Sequence, residues 1–119
     1  MTLSRAIPFG AHAVIETVAA PALMALPLLL GFSPVAALIA FVIGALLLGL
    51  ALQATGPRRA IPLSAQAGFE YALAGVAIVA GLAVGIATGL WAEGIFLVGV
   101  GAAQVALTAS TRFSVPAGA

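Results

Sequence analysis

The apolar positions of this chain neither alternate nor recur every third or fourth residue; they run on almost unbroken, and polar residues gather at a few points between them. Four apolar segments result, about Pro8 to Gly31, Pro34 to Ala54, Pro62 to Thr88 and Trp91 to Ser110. Each has the roughly 20 residues that a helix needs to cross a bilayer core. Helices apolar on every side belong in lipid or in a core. The punctuation agrees. Pro8, Pro34 and Pro62 each stand where a first helical residue needs no N–H, and Ser33 can cap the second helix. "GFSP" and "TGLWAEG" read as tight turns, and "ATGPRRAIP" (Ala54 to Pro62) reads as a wet loop. Pro21 and Pro27 fall inside the first segment and predict a kink or a local irregularity, which neighbouring helices can re-satisfy.

Composition then fixes the solvent. Of 119 residues, 64% are hydrophobic and 6% charged, against about a quarter charged in soluble domains. Four basic and three acidic side chains cannot keep a fold of this size wet, so the expected surroundings are lipid. There is no cysteine, which excludes disulfides and thiolate metal sites. A net charge of +1 gives no polyanion footprint, and nucleic acid is not an expected partner.

The basic residues are all arginine: Arg5 before the first segment, Arg58 and Arg59 in the central loop, Arg112 after the last. Four crossings put all of them on one side, while the opposite turns carry only Glu93. Arginine in short loops marks the cytoplasmic face. The expectation is a multi-pass protein of the cell (cytoplasmic) membrane with both termini cytoplasmic. A cleaved signal sequence is a poorer reading, because its apolar region is short and holds no His or Glu.

"IPFGAHAVIE" (Ile7 to Glu16) returns as "IPLSAQAGFE" (Ile61 to Glu70) after a slide of 54 residues. Ala20, Leu28 and Gly31 then fall on Ala74, Leu82 and Gly85. Small apolar matches are cheap here, but Ile-Pro followed eight residues later by one of only three acidic residues is not. With one gap, Phe41 and Gly44 fall on Phe96 and Gly99. The expected fold is all-α: a single membrane domain, a four-helix bundle of two tandem helical hairpins, residues 7–54 and 62–110, joined by a cytoplasmic loop, 55–61. Two crossings per repeat make it a parallel repeat about the membrane normal.

Ile7-Pro8, His12 four residues before Glu16, and Gly31-Phe32, with Ile61-Pro62, Gln66 and Glu70 in the second half, resemble the SPW-repeat family of small bacterial membrane proteins. Leu26-Pro27-Leu28 stands where that family has Ser-Pro-Trp, and Gln66 stands where it has a second His. The resemblance implies tandem hairpins in a bacterial inner membrane and no particular activity.

His12 and Glu16 lie one turn apart on a shared helix face, and Gln66 and Glu70 repeat that spacing. From its proline each Glu lies about 12 Å along the helix, inside the hydrocarbon, where an ionisable residue is costly and is a functional candidate. One reading is a proton- or cation-handling site. The other is polar glue between the first and third helices. A haem or metal ligand at His12 is a sharper idea, but His12 is the only histidine, and no multi-ligand metal spacing is present. No cofactor and no metal are expected. Gly81, Gly85 and Gly89 form a stripe for close helix packing. Trp91, Phe32, Tyr71 and Phe113 read as interfacial anchors. Gln53 and Gln104 suggest no role, and Ser33, Ser64 and Ser110 read as caps and loop residues.

No nucleophile–base set and no phosphate loop is present, so an enzyme is not expected. Three functions follow from the residues. The first is a structural or accessory membrane protein that packs with itself, as a homo-oligomer, or as a subunit of a larger membrane complex. The second is an oligomeric proton- or cation-coupled transporter or channel using Glu16 and Glu70. The third is a cofactor or pigment holder using His12.

Overall fold

The computed structural model describes residues 6–55 and 61–113. Arg5, Arg58 and Arg59, and with them most of the arginine bias, lie outside the described residues. Helices α1 (Phe9–Leu29), α2 (Pro34–Thr55), α3 (Leu63–Thr88) and α4 (Trp91–Ala109) account for nearly all of the rest. All four are long and apolar enough to cross a membrane. Their ends lie within a residue or two of the expected ones. Not expected from the apolar pattern is a short parallel pair, β1 (Ile7–Pro8) with β2 (Thr111–Arg112), in which Ile7 faces Thr111 and Pro8 faces Arg112.

Helix α1 runs unbroken from Phe9 to Leu29 through Pro21 and Pro27. It ends where Gly31 takes φ 73°, the Phe32 N–H donates to Pro27 O at 2.9 Å and the Gly31 N–H to Leu28 O at 3.3 Å. That is a Schellman ending, and the positive φ suits glycine. Gly89 ends α3 with φ 74°, its N–H donating to Gly85 O at 2.9 Å.

α1 packs along α2, and α3 along α4, through small residues. A Cβ on Gly44 would come within 3.0 Å of Ala20 O, one on Gly101 within 2.6 Å of Ala74 O, and one on Gly81 within 2.5 Å of Gly94 O. Gly85 is equally close, beneath the Trp91 ring. Gly89 does not share this role. Open space surrounds it, and its left-handed backbone makes it a helix stop, so the packing stripe is Gly81 and Gly85 answered by Gly94.

The core joins Ala20 and Leu23 of α1, Ala40, Ile43 and Leu47 of α2, Ala77 and Val84 of α3, and Leu97 of α4. Outward-facing positions are apolar too, among them Val18 at 71%, Leu29 at 80% and Ile86 at 76% exposed, where a bundle in water would place charges. Burial follows a register. His12, Glu16, Ala20, Leu23 and Pro27 are buried on α1, and Gln66, Glu70, Ala74, Ala77 and Gly81 on α3, at the slide of 54. On α2 the buried set Ala37, Ala40, Gly44, Leu47 and Ala51 corresponds to Gly94, Leu97, Gly101, Gln104 and Thr108 at a slide of 57. The packed counterpart of Gly44 is therefore Gly101. Gly99, matched to it by sequence alone, faces open space, because α3 is longer than α1 and delays the second helix.

Candidate polar cluster

Four of the polar residues singled out by sequence meet at one point. His12 and Glu16 come from α1, Gln66 and Glu70 from α3, and none is more than 2% exposed. His12 Nε2 lies 2.8 Å from Glu70 Oε2 and 3.3 Å from Glu16 Oε2, so a single imidazole bridges both carboxylates and both helices. Its other nitrogen, Nδ1, is 2.8 Å from Thr111 Oγ1. The Thr111 hydroxyl donates its one proton to Leu107 O at 2.6 Å. It must then accept from His12, which fixes Nδ1 as a protonated donor and turns Nε2 toward the acids. The β1–β2 pairing is what brings Thr111 beneath the ring. Phe9 stacks on the imidazole with centroids 6.1 Å apart, and Phe113 meets its edge at 5.2 Å. Phe113, read as an interfacial anchor, is thus part of the lid on His12.

Gln104 and Gln53, to which the sequence assigned no role, complete the network with Gln66. Gln104 of α4 points its amide at Glu16 Oε2 and Thr108 Oγ1, each 3.2 Å away, and donates also to Glu70 Oε1. Gln66 donates to Glu70 Oε2 at 3.2 Å and to Leu50 O at 3.3 Å. Gln53 of α2 donates to Gln66 Oε1 at 2.6 Å. All four helices and β2 therefore reach the cluster. Gln104 and Thr111 left a faint signal in the sequence: each is a polar residue in or beside a segment otherwise written in Ala, Leu, Val and Gly. Among the described residues, the one buried side-chain oxygen or nitrogen with no hydrogen-bond partner is Glu16 Oε1. Glu16 and Gln104 also line a groove of about 300 Å³ between α1 and α4, otherwise walled by residues such as Ile15, Leu23 and Val100.

At the opposite end, Glu93 joins the two turns. Ser33 donates to it through its N–H at 2.8 Å and its hydroxyl at 2.7 Å. The same hydroxyl accepts from Ala36 N–H at 3.5 Å, in the capping position expected of Ser33. Phe32 meets Phe96 edge-on at 5.3 Å beside this link.

No family model matches the chain, and neither a curated protein nor a solved structure matches it.

Proposed function

We propose that this chain is a multi-pass membrane protein of structural or accessory type, two tandem hairpins that pack with a second copy or with a larger membrane complex. The observation that carries this is the spending of buried polarity: every polar side-chain atom of the described interior but Glu16 Oε1 is bonded to another part of the chain. In hydrocarbon such bonds hold helices together, since lipid gives apolar faces no reason to prefer one another. The hydroxyl beside His12, that of Thr111, gives its proton to Leu107 O and accepts from the imidazole, an arrangement that orients the ring and does not activate a nucleophile, which supports a role other than catalysis. The exposed valines, leucines and isoleucines suit lipid on most sides and a partner on the rest. The orientation with both termini cytoplasmic rests on the arginine distribution. The shared burial register of α1 with α3 and of α2 with α4 supports duplication, and the likeness to the SPW-repeat family rests on the same residues, His12, Glu16, Gln66 and Glu70.

A second reading, an oligomeric transporter coupled to protons or cations, draws support from the unpartnered carboxylate oxygen beside the α1–α4 groove. A pigment or haem on His12 has less in its favour, because the ring is fully covered and leaves no open face or edge for a macrocycle. Liposomes carrying the purified protein separate the first two. The scaffold reading expects proton and cation fluxes equal to empty vesicles, together with a defined oligomer or complex on gentle extraction. Protein-dependent flux abolished by Glu16→Gln would replace it with the transport reading.

A further inference from the structure

The geometry points to a binding site for one divalent transition-metal cation, held by His12 Nε2 and the carboxylates of Glu16 and Glu70. The three side chains each offer one ligand atom, all within 4.8 Å of one another. Nε2 is already 2.8 and 3.3 Å from the two carboxylate oxygens. Ligands placed 2.0–2.2 Å from one ion, at octahedral or tetrahedral angles, sit about 2.8–3.6 Å apart. The set therefore needs only small shifts to close on a metal.

Three further observations favour a cation there. Glu16 Oε1 is buried without a hydrogen-bond partner among the described residues, and a cation held by the Glu16 carboxylate would compensate it. The outer shell is built as metal sites build theirs. Thr111 accepts a hydrogen bond from the Nδ1–H of His12 and donates its own hydroxyl to Leu107 O, while Gln66 and Gln104 hold Glu70 and Gln104 also holds Glu16. Such partners fix the tautomer and the aim of each ligand. With both carboxylates ionised and the imidazole neutral the three ligands carry −2, which a divalent ion neutralises in the buried cluster. One imidazole nitrogen with carboxylate oxygens suits zinc, manganese or ferrous iron. The α1–α4 groove leaves room on the Glu16 side for water or an exchangeable ligand. The ligands come from two helices 58 positions apart, so no metal motif is visible in the sequence. The site goes beyond the scaffold reading and does not depend on it.

The test uses the untagged full chain in lipid nanodiscs, stripped with a chelator and titrated with Mn²⁺, free ion being followed by electron paramagnetic resonance, and with Zn²⁺, followed by elemental analysis. The expected result is one ion per chain, with release of protons displaced from the ligands, unaffected by excess Na⁺ or K⁺. His12→Gln and Glu16→Gln should each weaken binding by at least about 100-fold, and Thr111→Val, which keeps all three ligands, by about 10–100-fold. Thr111→Val serves as the decisive variant if a ligand variant fails to fold, with helicity and monodispersity as the check. Folded wild-type protein that takes up neither ion would overturn the proposal. So would binding displaced by Na⁺ or K⁺, or binding that His12→Gln, Glu16→Gln and Thr111→Val leave unchanged.

Discussion

Gln104→Leu removes the α4 side chain that reaches both carboxylates while keeping nearly the same volume. The wild-type amide nitrogen faces three acceptors, Glu16 Oε2, Glu70 Oε1 and Thr108 Oγ1, but carries two protons, so at most two bonds are lost. Hydrogen bonds to charged groups contribute about 1.5–3 kcal/mol each in water-soluble proteins. Interhelical polar contacts in bilayers average nearer 0.6 and reach about 1.7 kcal/mol, because separated helices also find partners. Two bonds at the upper bilayer figure, less some gain from burying leucine, give an expected loss of about 1.5–3 kcal/mol. Reversible unfolding in mixed micelles, followed by far-ultraviolet circular dichroism, measures it. Combined with Glu70→Gln, the loss should be non-additive, since both changes strike one bond and contacting residues couple by about 0.5–3 kcal/mol. Helicity like wild type with stability within about 0.5 kcal/mol would refute the claim that this network holds α4 to α1 and α3.

Gly81→Ala and Gly101→Ala push a methyl against backbone and should destabilise by about 1–3 kcal/mol, whereas Gly99→Ala, with open space around it, should be neutral or slightly stabilising in the same unfolding assay. Gly85→Ala meets the Trp91 ring, which is 46% exposed and can swing aside, so its effect should be smaller than that of Gly81→Ala. Glu93→Ala frees both Ser33 bonds and should lower stability by about 1–2 kcal/mol, more than Ser33→Ala, which keeps the backbone donor. Reporter fusions after Ala119 and within the Gly89–Glu93 turn should report opposite sides of the membrane, and agreement between them would remove the four-crossing topology.

The helices were legible because each is a long apolar run ended by proline, glycine or arginine, signals that act locally. Legible for the same reason was the pairing of His12 with Glu16, which follows from helical spacing. Contacts between elements were not. Gln104 lies 88 residues from Glu16 and 34 from Glu70, and nothing on α4 marks which of its faces turns inward. Thr111 acts through a two-residue strand too short to leave an alternating pattern. The second-helix register misled because Phe41 and Phe96 are chemically alike, while packing is set by the small residues one helix leaves for the other. Gly44 and Gly101 sit against Ala20 and Ala74, residues that are themselves 54 apart.

The two halves differ at the polar cluster, and that difference can be tested by exchange. A strict duplication would place a histidine at both His12 and Gln66. In the chain, His12 reaches both carboxylates, while Gln66 serves its own Glu70 and turns its remaining groups to Leu50 and Gln53 of α2. The difference extends to the entry of each half: the Ile7 N–H donates to Ser110 O at 3.0 Å, and the Ile61 N–H to the Gln53 side chain at 3.3 Å. In the packed register of α2 with α4, Thr111 corresponds to Ala54, which has no hydroxyl. His12→Gln alone should therefore lose the bridge between the acids. Adding Gln66→His should restore a donor beside Glu70 but leave its second ring nitrogen without the acceptor that Thr111 supplies to His12. The double exchange is expected to recover part of the stability lost by His12→Gln and to remain below wild type by about 1–3 kcal/mol, the penalty of one unsatisfied buried group. Adding Ala54→Thr should narrow that gap. Complete recovery by the double exchange without Ala54→Thr would show that Thr111 does not orient His12.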